Sequence, residues 1–376
     1  FVVGSNHLGI QRDLLLFNGG VPVGQSYDMT WNIKWTSKSF IADDYYTTEW
    51  QIPLSSFRYR EGEKTWGFGS YQRDSKNTAW NMWHKVPEDQ DFSDMAFLGD
   101  MIFEKPLKKS KSKKTFIPYI NGIYANDYEN QNKFNDFEFG GDAKFVIDNS
   151  LTLDLTINPD FSQVEVDDQI TNLTRFEISL PEKRQFFIEN SDLFSSFGDR
   201  GDSNPFFSRR IGIAKDLDGN NIQNKIIVGL RLSGKINNDF RIGLINMLTD
   251  EDLENNIASN NNTILALQHK VFNRSNISFL FINRESIKDY DFGSVNPFNR
   301  VIGIDYNLAS SDSKWEGKYY FHKSITPNLD GDDISVGFRT NYNSRNINFK
   351  VGALYIGDNF NSDLGYIKRK SIYKID

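Results

Sequence analysis

The tryptophans of the first hundred residues are the side chains in this sequence best suited to holding a sugar. Their flat, apolar rings can stack on the C–H-rich face of a pyranose. Four of them occupy the strand-like stretches YDMTWNIKW and AWNMWHKVPED, at Trp31, Trp35, Trp80 and Trp83. The same rings would equally serve as the buried core of a β-sandwich, so the sequence predicts carbohydrate-binding candidates and leaves the core role open.

A second chemical candidate is the segment 159–223, which is dense in charges of both signs and contains the stretch SLPEKRQFFIEN. Two carboxylates that flank one bond could hydrolyse a glycoside, but the segment offers too many acids to single out a pair. The alternative is an ion-paired plug or lid, because paired charges are tolerated in a polar lumen and are costly against lipid. We expect its anchor to comprise Glu182, Lys183, Arg184, Phe186, Phe187, Glu189, Arg209 and Arg210.

Metal, thiol and cofactor chemistry has little support in the sequence. The chain has no cysteine, and its histidines, His7, His84, His269 and His322, are scattered without metal-ligand spacing. The motifs DLDGNN (216–221) and NLDGDD (328–333) resemble calcium loops but lack the glutamate of the complete pattern, and we interpret them as tight turns. The sequence predicts no catalytic residue, no metal site and no cofactor. The net charge of −7 argues against nucleic acid as a partner.

The positions of these residues depend on strands whose apolar side chains recur at every second residue. In SLTLDLTIN the residues Leu151, Leu153, Leu155 and Ile157 alternate with polar ones. In NKIIVGLRLSGKI the predicted apolar face comprises Ile226, Val228, Leu230, Leu232 and Ile236, and in NINFKVGALYIG it comprises Ile347, Phe349, Val351, Ala353 and Tyr355. This period predicts strands with one apolar and one polar face. No apolar run is long enough for a transmembrane helix.

Eleven such strands are predicted between residues 116 and 356, and the connections between them alternate between short and long. Short turns at one rim and long loops at the other are typical of outer-membrane β-barrels, whose short turns are periplasmic. The alternation assigns SRRIGIA (208–214) to the long insertion and places the N-terminal region at the short-turn rim. Single-chain bacterial barrels have an even number of strands, so we expect further strands beyond these eleven, and we expect both ends of the chain to continue.

The predicted fold class is therefore all-β, with a partial β-sandwich followed by an incomplete antiparallel outer-membrane barrel that carries a charged plug or lid. We place the partial sandwich at 1–103, a lysine-rich linker at 104–114, and the barrel portion at 115–376 with its insertion at 159–223. The linker EKPLKKSKSKK could be merely solvated or could rest on anionic lipid head groups.

The insertion also carries a family resemblance. NPDFSQVEVDDQITNLTRFEISLPEKRQFF, with the later FFSRRIG, resembles the signature of a family of Gram-negative outer-membrane proteins that carry a domain of unknown function. In that family the domain follows a module similar to family-nine carbohydrate-binding modules, and TEWQIPLSSFRY with TWGFGSYQRD is similar to the second half of this module. The resemblance implies a periplasmic sandwich before an outer-membrane barrel. Family members are frequently labelled hydrolases, a label that rests on the binding module.

Three functions follow as expectations. The first is an outer-membrane barrel coupled to glycan binding or uptake. The alternatives are a structural or assembly partner in an envelope complex and a glycoside hydrolase. The expected partners are outer-membrane lipid, a glycan and other envelope proteins, and the expected location is the cell outer membrane with the N-terminal domain in the periplasm.

Overall fold

The structure is a computed structural model, and almost all of its regular structure is β-strand, as predicted. It describes the following residues: 1–16, 27–29, 31, 33–57, 59, 61–88, 90–91, 93–108, 114–127, 132–148, 150–159, 182–219, 221–292 and 296–376. Part of the predicted linker, residues 109–113, and the front of the insertion, residues 160–181, lie outside this description.

The N-terminal region consists of short strands in four small antiparallel sheets, β1–β2–β3, β4–β5, β6–β9 and β7–β8. The strands are β1 (Val2–Ser5), β2 (Gln11–Leu16), β3 (Tyr27–Asp28), β4 (Thr36–Ile41), β5 (Tyr46–Gln51), β6 (Thr65–Phe68), β7 (Tyr71–Asp74), β8 (Ala79–Met82) and β9 (Gly99–Ile102). Single 3₁₀ turns occur at Leu54–Ser56 and Met95–Phe97. The region is all-β as expected, while its assignment as a sandwich module stays a prediction.

The rest of the chain is built on one twelve-stranded antiparallel sheet, in which strands that follow one another along the chain are neighbours. Its strands are β10 (Lys114–Asp127), β11 (Asn132–Asp148), β12 (Leu151–Ile157), β16 (Ile226–Lys235), β17 (Phe240–Thr249), β18 (Asn260–Val271), β19 (Ser275–Ser286), β20 (Phe298–Ala309), β21 (Trp315–Ile325), β22 (Ile334–Asn343), β23 (Asn348–Ile356) and β25 (Ile372–Ile375). All eleven predicted strands are present, and β25 adds the expected further strand.

Neighbouring strands run in opposite directions, so successive connections lie at opposite rims of the sheet. The short-turn rim carries residues 149–150, 236–239, 272–274, 310–314 and 344–347, and the long-loop rim carries 158–225, 250–259, 287–297, 326–333 and 357–371. The predicted alternation is confirmed for these connections. The first connection differs, because β10 and β11 are longer than predicted and leave only 128–131 between them, outside the described residues.

The predicted faces of β12, β16 and β23 are confirmed with one correction. Thr152, Asp154 and Thr156 are buried on the inner face of β12, while the leucines between them lie on the outer face. Ile226 was predicted to share the outer face with Val228, but it is buried in the interior. The cause is a register shift in the pairing with β17 between Ile226 and Val228, which turns Ile226 inwards.

The described part of the long insertion between β12 and β16, residues 182–219 and 221–225, packs against the inner face. It contains two single-turn helices, α1 (Gln185–Ile188) and α2 (Asp192–Ser195), the short strand β13 (Ser203–Asn204), a 3₁₀ turn at Ser208–Arg210, and a hairpin of β14 (Ile213–Lys215) and β15 (Asn221–Gln223). SRRIGIA therefore belongs to the insertion, as predicted. We call residues 182–212 the plug. Neither helix in the described part of the chain has the length or hydropathy to cross a membrane.

The plug and the inner face of the sheet share one hydrophobic core. Phe187, Leu193, Phe194, Phe197, Phe206 and Ile211 of the plug pack among Ile245, Met247, Ile264, Leu280, Ile282 and Val301 of the sheet. The barrel pattern predicts a polar inner face, and β17 to β20 differ from it in part. Several of their inner positions, such as Ile245, Ile264 and Leu280, are apolar because the plug, rather than water, covers them, while others on the same faces are polar, such as Asn262 and Asp305.

Candidate functional site: the plugged interior of the sheet

The stretch Glu182–Glu189 begins with a clasp between two adjacent turns of the plug. The guanidinium of Arg184 donates to both carboxylate oxygens of Glu182, through Nε at 2.8 Å and Nη2 at 2.7 Å. Arg184 also donates to the carbonyls of Ile211 and Ser208, and the Ser208 hydroxyl donates to Glu182 at 2.6 Å. A bidentate arginine–carboxylate pair fixes both distance and plane. The clasp therefore joins the start of the plug to its end.

Glu182 is charged at neutral pH in spite of its burial. Burial acts to raise the pKa of this carboxyl, but the hydrogen bonds from Arg184 and Ser208 and the charge of Arg184 outweigh it, so the net pKa is lowered. The face of the Phe187 ring lies 4.3 Å from the Arg184 guanidinium carbon and covers the clasp.

A second cluster ties the plug to the wall at Glu189. Arg231, which is 1% exposed on β16, donates to Asp154 on β12 at 2.8 Å, to the Glu189 carbonyl at 2.8 Å and to its carboxylate at 3.3 Å. Lys144 on β11 also pairs with the Glu189 carboxylate. The Phe186 ring lies 5.2 Å from the Arg231 guanidinium. We call these charged residues the Arg231 hub.

The two clusters bring together Glu182, Arg184, Phe186, Phe187 and Glu189 of the predicted anchor, whose role as an anchor stays a prediction. Glu182 pairs with Arg184 and Ser208 rather than with Arg209 or Arg210, because the 3₁₀ turn brings the Ser208 hydroxyl to the carboxylate. Arg210 instead donates to the Gly365 carbonyl at 3.0 Å. Arg209 lines a smaller cavity beside the β14–β15 hairpin. Lys183 lies within the clasp, where its backbone N–H donates to Glu182.

Further wall residues hold the middle of the plug, and sequence reasoning did not find them. Arg241 on β17 donates two hydrogen bonds to the Asp192 carboxylate, at 2.7 and 3.2 Å. Asp305 on β20 accepts from the Gly198 N–H at 2.9 Å, forms an ion pair with Lys318 at 3.1 Å, and lies 2.7 Å from His322 Nε2. The available signal was the charge itself, since these residues occupy inner positions of strands with a period of two.

A second segment, residues 357–371 between β23 and β25, completes the interior. Its short strand β24 (Tyr366–Ile367) pairs with β13 of the plug. Asp363 accepts two bonds from Arg284 on β19, at 2.9 and 2.6 Å. Phe360 is fully buried in the shared core. The apolar residues of this connection were a signal in the sequence, but they could not indicate which surface they cover.

A cavity of about 510 Å³ lies between the plug and the wall. It is bounded by plug residues from Ser196 to Asp202, by the inner sides of β19 to β23, and by the last residues of the chain. Its size is within the range of pockets that hold small molecules.

The four tryptophan candidates separate into two pairs. Trp31 and Trp35 are 9% and 6% exposed. In the N-terminal core the Trp31 ring stacks on Phe1, and the Trp35 ring packs edge-on against Trp50. Rings so covered cannot stack on a sugar, which removes both from the candidate set. Trp80 and Trp83 are 42% and 64% exposed and remain candidates for a ligand surface.

Trp80 belongs to an exposed aromatic hairpin. The pairing of β7 with β8 places Tyr71 opposite Met82 and Arg73 opposite Trp80, so all four side chains lie on one face. Tyr71 and Trp80 are 5.4 Å apart, and the Arg73 guanidinium lies 5.5 Å from the Trp80 ring. Trp83 follows the hairpin and packs edge-on against Phe68.

The N-terminal region touches the sheet at the short-turn rim, as its predicted placement requires. Arg274, in the turn between β18 and β19, donates to the buried carboxylate of Asp94 at 2.9 Å. It also donates to the Ser310 carbonyl at 3.2 Å and to the Ser313 hydroxyl in a neighbouring turn of the same rim. One arginine therefore connects the two regions.

The two Asp-Gly motifs are turns. Gly219 and Gly331 have φ of +84° and +73°, the left-handed conformation that tight turns use. No group of three or more candidate metal ligands occurs among the residues that the structure describes.

The fold and the site define a class of protein: an all-β protein whose long antiparallel sheet packs around a plug formed by two of its own connections. The family follows from comparison with known proteins. The chain belongs to the family described as Domain of unknown function (DUF5916), whose model matches residues 112–376. That part of the predicted resemblance is confirmed. No curated protein and no solved structure gives a match.

Proposed function

We propose that the protein is an outer-membrane β-barrel with a plugged lumen, and that its N-terminal module binds a glycan at the periplasmic rim. One observation carries the membrane assignment. Paired residues form an unbroken apolar row across the outer face of seven neighbouring strands: Ile242, Leu267, Phe279, Ile304, Phe321, Val336 and Tyr355. A surface of this kind is stable against lipid and unstable in water.

The borders of this apolar band support the same proposal. At the short-turn rim, Trp315, Tyr342 and Phe349 form an aromatic cluster with ring centroids 4.9 to 5.8 Å apart. Towards the long-loop rim the outer face becomes polar, where Asn246 donates to Asn261 and Thr263. Aromatic residues at the interface and polar residues beyond it are typical of membrane barrels.

The aromatic hairpin of β7 and β8 supports the glycan-binding part. Tyr71 and Trp80 offer exposed rings on one face, and Arg73 beside them can bond to hydroxyl groups. The Asp94–Arg274 contact keeps this module beside the barrel. The hydrolase alternative lacks comparable support among the described residues, because each carboxylate that lines the large cavity is ion-paired: Asp199, Asp202 and Asp376.

The assembly-partner alternative predicts that the module docks on another envelope protein rather than on a sugar. The two are separated by affinity electrophoresis of the full-length protein in detergent, run through gels that contain a panel of polysaccharides. We expect retardation by at least one polysaccharide, and its loss in Trp80→Ala. Trp35→Phe, a conservative change in the core, controls for folding.

Retardation by none of the polysaccharides, or equal retardation of the Trp80→Ala variant, would contradict glycan binding. The membrane part has a separate test in the same preparation. A folded barrel migrates faster on an unheated denaturing gel than on a heated one, and it fractionates with outer membranes. Recovery of the folded protein in the soluble fraction would contradict the membrane assignment.

A further inference from the structure

The aromatic hairpin of β7 and β8 has two faces of different chemistry. One face carries the two rings together with an arginine and a methionine: Tyr71, Arg73, Trp80 and Met82. The opposite face carries small or polar side chains: Gln72, Asp74, Ala79 and Asn81. Gln72 donates to the Tyr46 hydroxyl on β5 at 2.9 Å, so this polar face is joined to the neighbouring sheet. The aromatic face keeps its rings accessible, since Tyr71 and Trp80 are 41% and 42% exposed.

Arg73 is the one charged side chain on the aromatic face, and it is exposed. Its guanidinium carbon lies 5.5 Å from the centre of the Trp80 ring, within the range of a cation–π contact. No acidic side chain of the described residues forms an ion pair with Arg73. The adjacent acid, Asp74, projects from the opposite face, where its carboxylate accepts from the Asn77 amide at 2.6 Å and from the Lys76 backbone N–H at 2.9 Å. Arg73 is thus held beside the rings, and no neighbouring carboxylate offsets its charge.

The hydrogen-bonding capacity of Arg73 matches an acidic group better than a hydroxyl group. A guanidinium has five N–H donors and no acceptor. A sugar hydroxyl both donates and accepts, whereas a carboxylate only accepts, and it can take two of the guanidinium donors at once. On a uronic acid the carboxylate is attached at the edge of the pyranose ring. A pyranose stacked on Tyr71 or Trp80 can therefore direct this group towards Arg73 and supply the counter-charge.

We propose that the glycan bound at this hairpin is acidic, and that Arg73 bonds a uronate carboxylate while the aromatic rings hold the pyranose. The inference rests on the glycan binding proposed above and adds the class of sugar. Overall charge does not account for such a preference, because the chain has a net charge of −7 and repels polyanions at long range. The selectivity comes from the contact with Arg73, and it should disappear when that side chain is replaced.

Isothermal titration calorimetry on the full-length protein in detergent tests this proposal with matched pairs of polysaccharides. The acidic members are polygalacturonate, alginate and hyaluronan, and each is compared with its carboxyl-reduced, neutral form. We expect at least one acidic member to bind about tenfold more tightly than its neutral form, the effect of one charge-assisted pair of hydrogen bonds. Added sodium chloride should reduce this preference, because the site is exposed and salt screens its charges.

Three variants assign the preference to its side chain. Arg73→Gln should bind the acidic and neutral forms with equal affinity, whereas Trp80→Ala should lose binding of both. Arg73→Lys keeps the charge without the planar fork, and we expect it to retain part of the preference. As the matched control, Arg12→Gln removes an exposed arginine from β2, in another sheet of the same region, and should keep the full preference.

The acidic class of glycan is overturned, with glycan binding intact, if both members of every pair bind alike or if only neutral forms bind. It is also overturned if Arg73→Gln keeps the preference of the wild type. Failure of every polysaccharide to bind, acidic and neutral alike, would overturn the glycan binding proposed above together with this inference.

Discussion

The two faces of the large sheet differ in the side chains they carry, although the same strands form both faces. On β17 to β23 the outer row contains only large apolar or aromatic side chains, such as Phe279, Ile304 and Phe321. The adjacent inner row contains glycine, alanine, leucine, histidine, serine and isoleucine, such as Gly303, His322 and Ser335. If the outer face lies against lipid, as we propose, it can have any apolar shape, whereas the plug requires a particular side chain at each position.

Glycines on the inner face show how closely the wall fits the plug. The Phe194 ring of α2 lies against Gly243 on β17, and a Cβ at that position would come within 2.5 Å of the ring. Phe194 therefore occupies the volume that a larger residue at position 243 would need. The inner face is specified by shape and charge together, and the outer face by hydrophobicity alone.

The largest effect in this comparison is expected from Arg231→Met. The change keeps the volume but leaves the carboxylates of Asp154 and Glu189 with Lys144 as their remaining cation among the residues that the structure describes. An uncompensated buried charge costs roughly 3–5 kcal/mol. We expect the free energy of unfolding, measured by urea titration in detergent, to fall by about that amount.

Lys225→Met provides the matched control, since Lys225 pairs with Glu138 at an exposed site. Exposed pairs contribute little, and a fall of less than about 1 kcal/mol is expected. If both variants lose equal stability, the Arg231 hub does not hold the plug and the inner face is less specific than the comparison states.

The outer face is probed by Phe279→Arg, in the middle of the apolar row of β19. An arginine on the lipid face near the bilayer midplane costs about 2–4 kcal/mol. We expect a reduced yield of the heat-modifiable folded form in outer membranes. Asn283→Arg, on the same face of the same strand but within the polar border, should fold nearly as the wild type does, because Glu285 and Asn261 already make that border polar. Equal yields of the Phe279→Arg and Asn283→Arg variants would mean that the membrane boundary does not lie between these two positions.

The outer face could be predicted from the sequence because its rule is local. A period of two in apolar residues, together with the alternation of connection lengths, identified all eleven strands and the position of the N-terminal region. The one exception, Ile226, depends on a register shift that no single strand encodes. The anchor stretch was also found locally, because its charge density contrasts with the strands around it.

The inner face could not be predicted because its rule is long-range. Arg241 meets Asp192, and Arg284 meets Asp363, across wide separations in sequence. The contribution of residues 357–371 to the interior was missed for the same reason. A single apolar residue in a loop, such as Phe360, does not show that the loop packs inside the sheet. Trp31 and Trp35 were candidates only because the residue type does not show whether a side chain is buried.

A smaller effect is expected from Arg184→Ala, which opens the clasp and leaves the wall intact. Glu182 would keep the Ser208 hydroxyl but lose both guanidinium bonds, so the start of the plug should detach from its end. In planar-bilayer recordings of the full-length protein we expect small-ion conductance to rise while heat-modifiable migration is retained. Lys215→Ala, on the exposed hairpin of the same insertion, should leave conductance unchanged. Unchanged conductance in Arg184→Ala would mean that the Arg231 hub alone keeps the plug closed.

The smallest expected effect is a pH dependence of the same clasp. The pKa of Glu182 is lowered in the folded protein from its ordinary value of 4.5, so its contribution to stability is complete above that pH. It is lost as the pH falls through the folded pKa, where the carboxylate gains a proton and Arg184 loses its charged partner. The thermal midpoint of the wild type should therefore exceed that of Glu182→Gln at pH 7. This difference should shrink towards zero only below about pH 4.5.

Thermal scans of both proteins between pH 7 and pH 2.5, followed by intrinsic fluorescence, measure this difference, and changes common to both proteins cancel in it. A difference that stays constant throughout, or that vanishes already between pH 7 and pH 5, would mean that the charge of Glu182 does not hold the clasp and that its hydrogen-bond geometry alone does.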